Sequence, residues 1–210
     1  MRETDRCTID LETLGAEVLV VQRWQYVWAV QPPLPAWTLA QEQRFHARAE
    51  AAIRASWDNR ARVQASGTTE LAKQLAGHAI PVRIDLRWVT RNPHWTVTVT
   101  KVPPALFVTS SVLWDARTII FDTNDLTWRN AASGEPGMNQ RPVSHEFGHA
   151  FGNTAVLGRG DEYPASSPHN ADTVSIMNHG NSLRARHFTH VINELNQMSA
   201  GTTFSVGSIT

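Results

Sequence analysis

Residues 144–164 read SHEFGHAFGNTAVLGRGDEYP. His145 and His149 are four positions apart, so on a helix they project about 40° from each other and about 6 Å apart along the axis. Both imidazoles can then reach one metal ion. Glu146 lies one position on, near the metal face but not placed as a ligand, where it is the natural general base. About 0.02 chance matches to HExxH are expected from this chain's own His and Glu frequencies. Val143, Phe147, Ala150 and Phe151 also mark one apolar helix side. The spacing predicts a metal site on a helix whose apolar face lies on the other side.

A catalytic zinc takes three protein ligands and leaves a position for water, so a third donor must come from elsewhere in the chain. HEFGHAFG resembles the metzincin zinc metalloproteases, whose pattern is HExxHxxGxxH or HExxHxxGxxD followed by a methionine-containing turn. Gly152 holds the glycine position of that pattern and can turn the backbone out of the helix in a left-handed conformation. Three residues later the pattern wants a ligand, and the sequence has Ala155. Aligning Asp161 with that ligand requires a six-residue insertion. Lengthening the connection from three to nine residues costs only about 1 kcal/mol in closure entropy. Small bacterial metzincin-like domains, in which HEFGH is followed by a shorter link to DEY, are similar and favour Asp161. Glu162 is the first rival, and His169 or His179 the next.

Downstream, VSIMNHG at 174–180 is similar to the metzincin turn SIMxY, with Ser175, Ile176 and Met177 in order. The resemblance implies that Met177 is an apolar floor beneath the metal. His179 stands where several such proteases carry a tyrosine, and is a candidate hydrogen-bond donor to a developing oxyanion. His187 has a weaker claim, against the plainer reading of a packed helix-end histidine. The histidines at 46, 78, 94 and 190 are assigned no chemistry.

Outward from this centre, EVLVVQRWQYVWAV places Trp24, Tyr26, Trp28 and Val30 on alternate positions, as in a strand with one aromatic face buried. QPPLP at 31–35 ends it. Thr38 with Gln41 offers a capping box, and Phe45, Ala49, Ala52, Ile53, Ser56 and Trp57 then recur at helical spacing. ASGTTE at 65–70 reads as a turn, followed by a short helical piece, LAKQLAG. Strands follow at Val82–Trp88, Trp95–Val99 and Thr118–Phe121, all by alternation or apolar runs. AASGEPG at 131–137 breaks the pattern, and Pro142 places the start of the motif helix near Asn139 to Arg141. Residues 153–182 read as a long structured loop, and a final helix around Ala185 to Met198 precedes a strand-like tail.

The chain has 210 residues, enough for one sizeable domain, with 41% hydrophobic and 18% charged residues, an ordinary globular balance. Nineteen basic and nineteen acidic residues cancel, leaving no overall field for nucleic acid or an anionic membrane. Cys7, the single cysteine, excludes an intramolecular disulfide and a Cys-rich zinc site. The N-terminus lacks the pattern of a secretory signal, and no apolar run is long enough to span a membrane. These features leave the compartment open: cytoplasmic as synthesised, with export or delivery by another route.

The expectation is one α+β, metzincin-like domain over 1–210, with an upper subdomain to about 152 and a lower one beyond. It has a twisted mixed sheet, a long helix and an active-site helix above a cleft, and a loop-rich C-terminal part. The resemblance implies a Zn2+-dependent endopeptidase with His145, His149 and Asp161 as ligands and Glu146 as base. A peptide or protein substrate would add as a strand to an edge around Trp114 to Phe121. The rival expectation, supported by Ala155 and the missing tyrosine, is a metal-binding or structural module that cuts nothing. A role as a delivered effector or toxin is compatible with the protease reading.

Overall fold

The structure is a computed structural model that describes residues 1–104, 106, 108–130 and 139–210. Its elements are, in order, β1 (Arg2–Glu3), β2 (Thr8–Glu12), β3 (Glu17–Val30), α1 (Leu39–Trp57), β4 (Ala61–Gly67), α2 (Glu70–Leu75), β5 (Ile80–Trp88) and β6 (Trp95–Lys101). There follow β7 (Ser111–Leu113), β8 (Thr118–Asp122), β9 (Arg129–Asn130), β10 (Asn139–Gln140), α3 (Pro142–Ala150), α4 (Thr189–Met198) and β11 (Thr202–Ile209). The α+β class is as the sequence predicts: a mixed, twisted sheet with four α-helices among the described residues.

The sheet runs β11-β4-β5-β3-β6-β8-β7, with β2 beside β3 and β1 beside β2. β3 is its spine. Its first half pairs with β5 in parallel and with β2 antiparallel, and from Trp24 onward it pairs with β6 in parallel. Two polar residues interrupt its apolar run for different reasons. Buried Gln22 sends its amide nitrogen to the Ala150 carbonyl at 2.9 Å and accepts from Trp24 Nε1 at 3.0 Å. It thereby satisfies a carbonyl at the end of α3 that has no intrahelical partner. Arg23 instead reaches the N-terminal segment, pairing with Glu3 at 2.5 Å.

Helix α1 begins with the capping box expected of Thr38 and Gln41, and its buried residues are the six read from helical spacing. Trp57, at its last turn, is fully buried against Phe147, Phe151 and Phe188 at ring distances of 5.3–5.8 Å. Its indole N–H donates to the Ser144 carbonyl at 2.9 Å, and Ser144 Oγ donates to the Ala52 carbonyl at 3.1 Å. These contacts fix the motif helix α3 against α1.

Four expectations need correction. Residues 65–67 belong to β4 and not to a turn; β4 is held along its length by β11, far away in sequence, which overrides the weak strand propensity of Ala-Ser-Gly. The motif helix starts at Pro142 with Arg141 as its N-cap, because Asn139 and Gln140 pair with Asn130 and Arg129 instead. The sheet edge beside the motif is Ser111–Leu113: Thr118–Asp122 lies inside, between β6 and β7, and residues 114–117 form the turn between them. The final helical segment opens as a 3-10 helix over Ala185–Phe188 before α4. The AASGEPG segment lies outside the described residues. No described helix is long and apolar enough to cross a membrane.

Candidate metal centre

Helix α3 carries His145 and His149 on one side and Val143, Phe147 and Ala150 in the core. Past its end Gly152 has φ +110°, the left-handed turn expected there, and a Cβ on it would lie 2.3 Å from His190 Cβ. The next residues explain the departure at Ala155. A 3-10 turn over Ala155–Leu157 and a left-handed Gly158 carry the chain out and back, and Arg159 N donates to the Thr154 carbonyl at 2.9 Å. Gly160 returns against Ala155, so close that a Cβ on it would lie 3.2 Å from Ala155 N. The inserted residues form a closed excursion, and Asp161 follows directly after it.

Asp161 Oδ1 is 3.1 Å from His145 Nε2 and 3.2 Å from His149 Nε2, and the two Nε2 atoms are 3.2 Å apart. The other ring nitrogens face backbone carbonyls: His145 Nδ1 is 2.7 Å from Ile176 O and His149 Nδ1 is 2.6 Å from Asn153 O. A carbonyl oxygen only accepts, so a proton on each Nδ1 would satisfy both carbonyls and turn each Nε2 lone pair to the shared point; Gln140 Nε2 also lies 3.0 Å from His145 Nδ1. Two ring nitrogens and a carboxylate oxygen thus converge on one point. Tetrahedral metal sites with bonds of about 2.0–2.1 Å have ligand-to-ligand edges of about 3.3 Å, close to the observed triangle. These three residues could hold a divalent metal ion.

The three groups are also coupled electrostatically. Burial raises the Asp161 pKa, but the hydrogen bonds from His145 and His149 outweigh it and hold the carboxyl well below the usual range. Burial lowers the His149 pKa, and Asp161 and Glu146 more than reverse it. Glu146 is only 8% exposed, and burial pushes its pKa up against the opposing pull of the two histidines. It lines a cavity of about 470 Å³ with the three candidate ligands, His179, Tyr163 and residues Thr109–Val112 beside the edge strand.

The methionine turn forms the underside. Met177 is fully buried, and a Cβ on Gly148 would lie 2.4 Å from its Sδ. Glu162 N donates to the Met177 carbonyl at 2.7 Å, which anchors the segment next to Asp161. Gln140 Nε2 sits among the carbonyls of Ile176, Asn178 and Gly180 at 2.8–3.2 Å and ties the turn to the start of α3.

The rival ligands are placed elsewhere or otherwise engaged. Glu162 is buried and grips Arg186 through both oxygens at 2.7 and 2.8 Å; burial raises its pKa, but Arg186 and His187 bring it far below the ordinary value. His169 lines a second cavity, behind the Asp161 segment. His187 does not line the site cavity. It is 1% exposed, accepts the Arg184 N–H at Nδ1 and directs Nε2 to Ser175 Oγ at 3.2 Å and Glu162 Oε1 at 3.3 Å. It is a packing residue, with burial lowering its pKa.

His179 does line the cavity, stacked on the Tyr163 ring at 5.6 Å and 18°. Tyr163 Oη donates to Asp161 Oδ2 at 2.9 Å. Burial and then Asp161 push its pKa up to about 12, which keeps the phenol a donor at neutral pH. Sequence reading missed Tyr163 as a site residue, although it ends the DEY tripeptide already singled out. Asp172 and Arg184, paired at 2.6 Å, were missed too; with Arg186 they hold the loop that carries the turn.

No family model matches this chain, and no curated protein or solved structure is similar to it.

Proposed function

We propose that this chain is a zinc-dependent endopeptidase that hydrolyses peptide bonds. One observation carries the reading: two imidazole nitrogens and a carboxylate oxygen converge at 3.1–3.2 Å beside a buried glutamate in an open cavity. The resemblance of HExxHxxG and the SIM turn to metzincins supports it, as does the donor set of two neutral imidazoles and one carboxylate, which suits zinc.

His145, His149 and Asp161 would hold the ion. When bound, zinc supplies a Lewis acid that lowers the pKa of water toward neutrality and polarises a carbonyl. Glu146 accepts the proton of the attacking water at its carboxylate and passes it to the leaving amine, so one group serves both steps. The edge strand β7 offers backbone groups along one cavity wall, and an extended peptide adds there as a further strand. His179, stacked on Tyr163, reaches the cavity as a candidate donor to the substrate oxygen.

Glu146→Gln tests the activity. The variant is expected to bind one zinc as the wild type does and to lose peptide cleavage by at least 100-fold, the scale on which a general base contributes. A wild type that binds zinc but cuts nothing in a broad peptide library would leave the metal-binding module as the reading.

A further inference from the structure

Asp161 presents its two oxygens to different partners: Oδ1 faces the imidazoles, and Oδ2 accepts from Tyr163 Oη at 2.9 Å. A free aspartate could offer both oxygens to one cation. The phenol holds one of them back. Tyr163 is itself held, because its ring lies flat on His179, at 5.6 Å and 18°. His179 is in turn anchored by the turn that carries Met177, donating its N–H to the Thr173 carbonyl at 3.2 Å. The adjoining Gly180 packs so tightly that a Cβ would lie 2.1 Å from the Val174 carbonyl oxygen. The chain of contact therefore runs from the methionine turn through two stacked rings to the carboxylate.

We infer that the stacked pair Tyr163–His179 is a latch that makes Asp161 a one-oxygen ligand and so keeps a coordination position open on the Glu146 side of the site. The inference rests on the metal-site reading above. A three-ligand site with an open position does chemistry on water, whereas a fourth donor closes it into a structural site. Here the fourth donor nearest to hand is Asp161 Oδ2, and the only described side chain bonded to it is Tyr163. Tyr163 is thus a positioning residue that acts through Asp161. Such outer partners of metal ligands typically affect affinity by 10–100-fold.

The latch separates two substitutions. Tyr163→Phe keeps the ring and its stack and removes only the O–H, at a residue that is 47% exposed and outside the core. His179→Ala keeps the O–H and removes the support. Zinc affinity, measured by competition with a chromophoric chelator, is expected to shift by about 10–100-fold in Tyr163→Phe and by about threefold in His179→Ala. With cobalt(II) in place of zinc, the wild type should show the intense visible bands of a four-coordinate ion. Tyr163→Phe should show the weaker bands of higher coordination as Oδ2 joins. Turnover should fall in kcat with little change in KM. A wild type that binds neither zinc nor cobalt overturns the metal reading and the latch with it. A wild type that binds both, beside a Tyr163→Phe variant within twofold in affinity and unchanged in cobalt spectrum, overturns the latch alone.

Discussion

Gly148 and Met177 touch across the underside of the site: a Cβ added to Gly148 would lie 2.4 Å from Met177 Sδ and 3.0 Å from Trp57 Cζ2. The two middle residues of HEFGH are otherwise free in the motif. In this chain the second of them is a glycine, and the Met177 side chain lies directly against the helix there.

Gly148→Ala is therefore expected to destabilise the protein. Alanine gains about 1 kcal/mol of helix propensity, but its Cβ would press on Met177 and Trp57, both fully buried. Overpacking of this kind costs about 1–3 kcal/mol, and the steric effect should win. Urea unfolding would show a lower midpoint with the slope unchanged. Adding Met177→Ala should recover part of the loss, so the double variant falls short of the sum of the singles. Strict additivity would mean that the two residues do not press on each other.

The assignment of Asp161 over Glu162 can be checked by substitution. Asp161→Ala should weaken zinc binding by more than about 100-fold, beyond the usual effect of an outer partner. Glu162→Gln should keep the zinc but lose stability, because Arg186 would lose its two-oxygen carboxylate partner in a partly buried place and retain Asp172 alone of the two. Zinc competition and thermal unfolding on the two variants separate the roles. A Glu162→Gln variant that folds normally and loses the metal would reverse them.

Asp125 gives the fold a pH dependence away from the site. It is fully buried, and burial pushes its pKa up from 3.8 to about 6 despite a hydrogen bond from Ser110, the Asp122 N–H and the charge of Arg129. The folded state then holds the proton more tightly than the unfolded one. Its contribution to stability is full below about pH 4, is lost as the pH rises to about 6, and stays lost above that. Two pKa units correspond to about 3 kcal/mol. Stability of the wild type minus that of Asp125→Asn should fall across this window. A difference that stays flat or rises between pH 4 and 6 would show that the carboxyl is not shifted upward.

Much of this was legible in the sequence, where a local pattern carried the information. The capping box at Thr38, the apolar stripe of α1 and the two histidines one helical turn apart each lie within a few residues of one another. The elements read wrongly depend on distant partners. β4 becomes a strand because β11 pairs with it, and the sheet edge falls at β7 because the short ladder Ser111–Leu113 caps β8. Asp161 could be proposed but not placed from spacing alone, since the closed excursion after Ala155 is what sets its position. Tyr163 was not singled out for a similar reason: its proposed role lies in the second oxygen of a carboxylate and in the His179 ring further along the same loop.

The central claim is that one cation sits between His145, His149 and Asp161. A crystal of the zinc-loaded protein, measured on both sides of the zinc absorption edge, locates the ion directly. The account predicts one anomalous peak per chain, about 2.0–2.2 Å from His145 Nε2, His149 Nε2 and Asp161 Oδ1. A peak whose third protein ligand is Glu162, His169 or His179, or no peak at the two histidines, would contradict it.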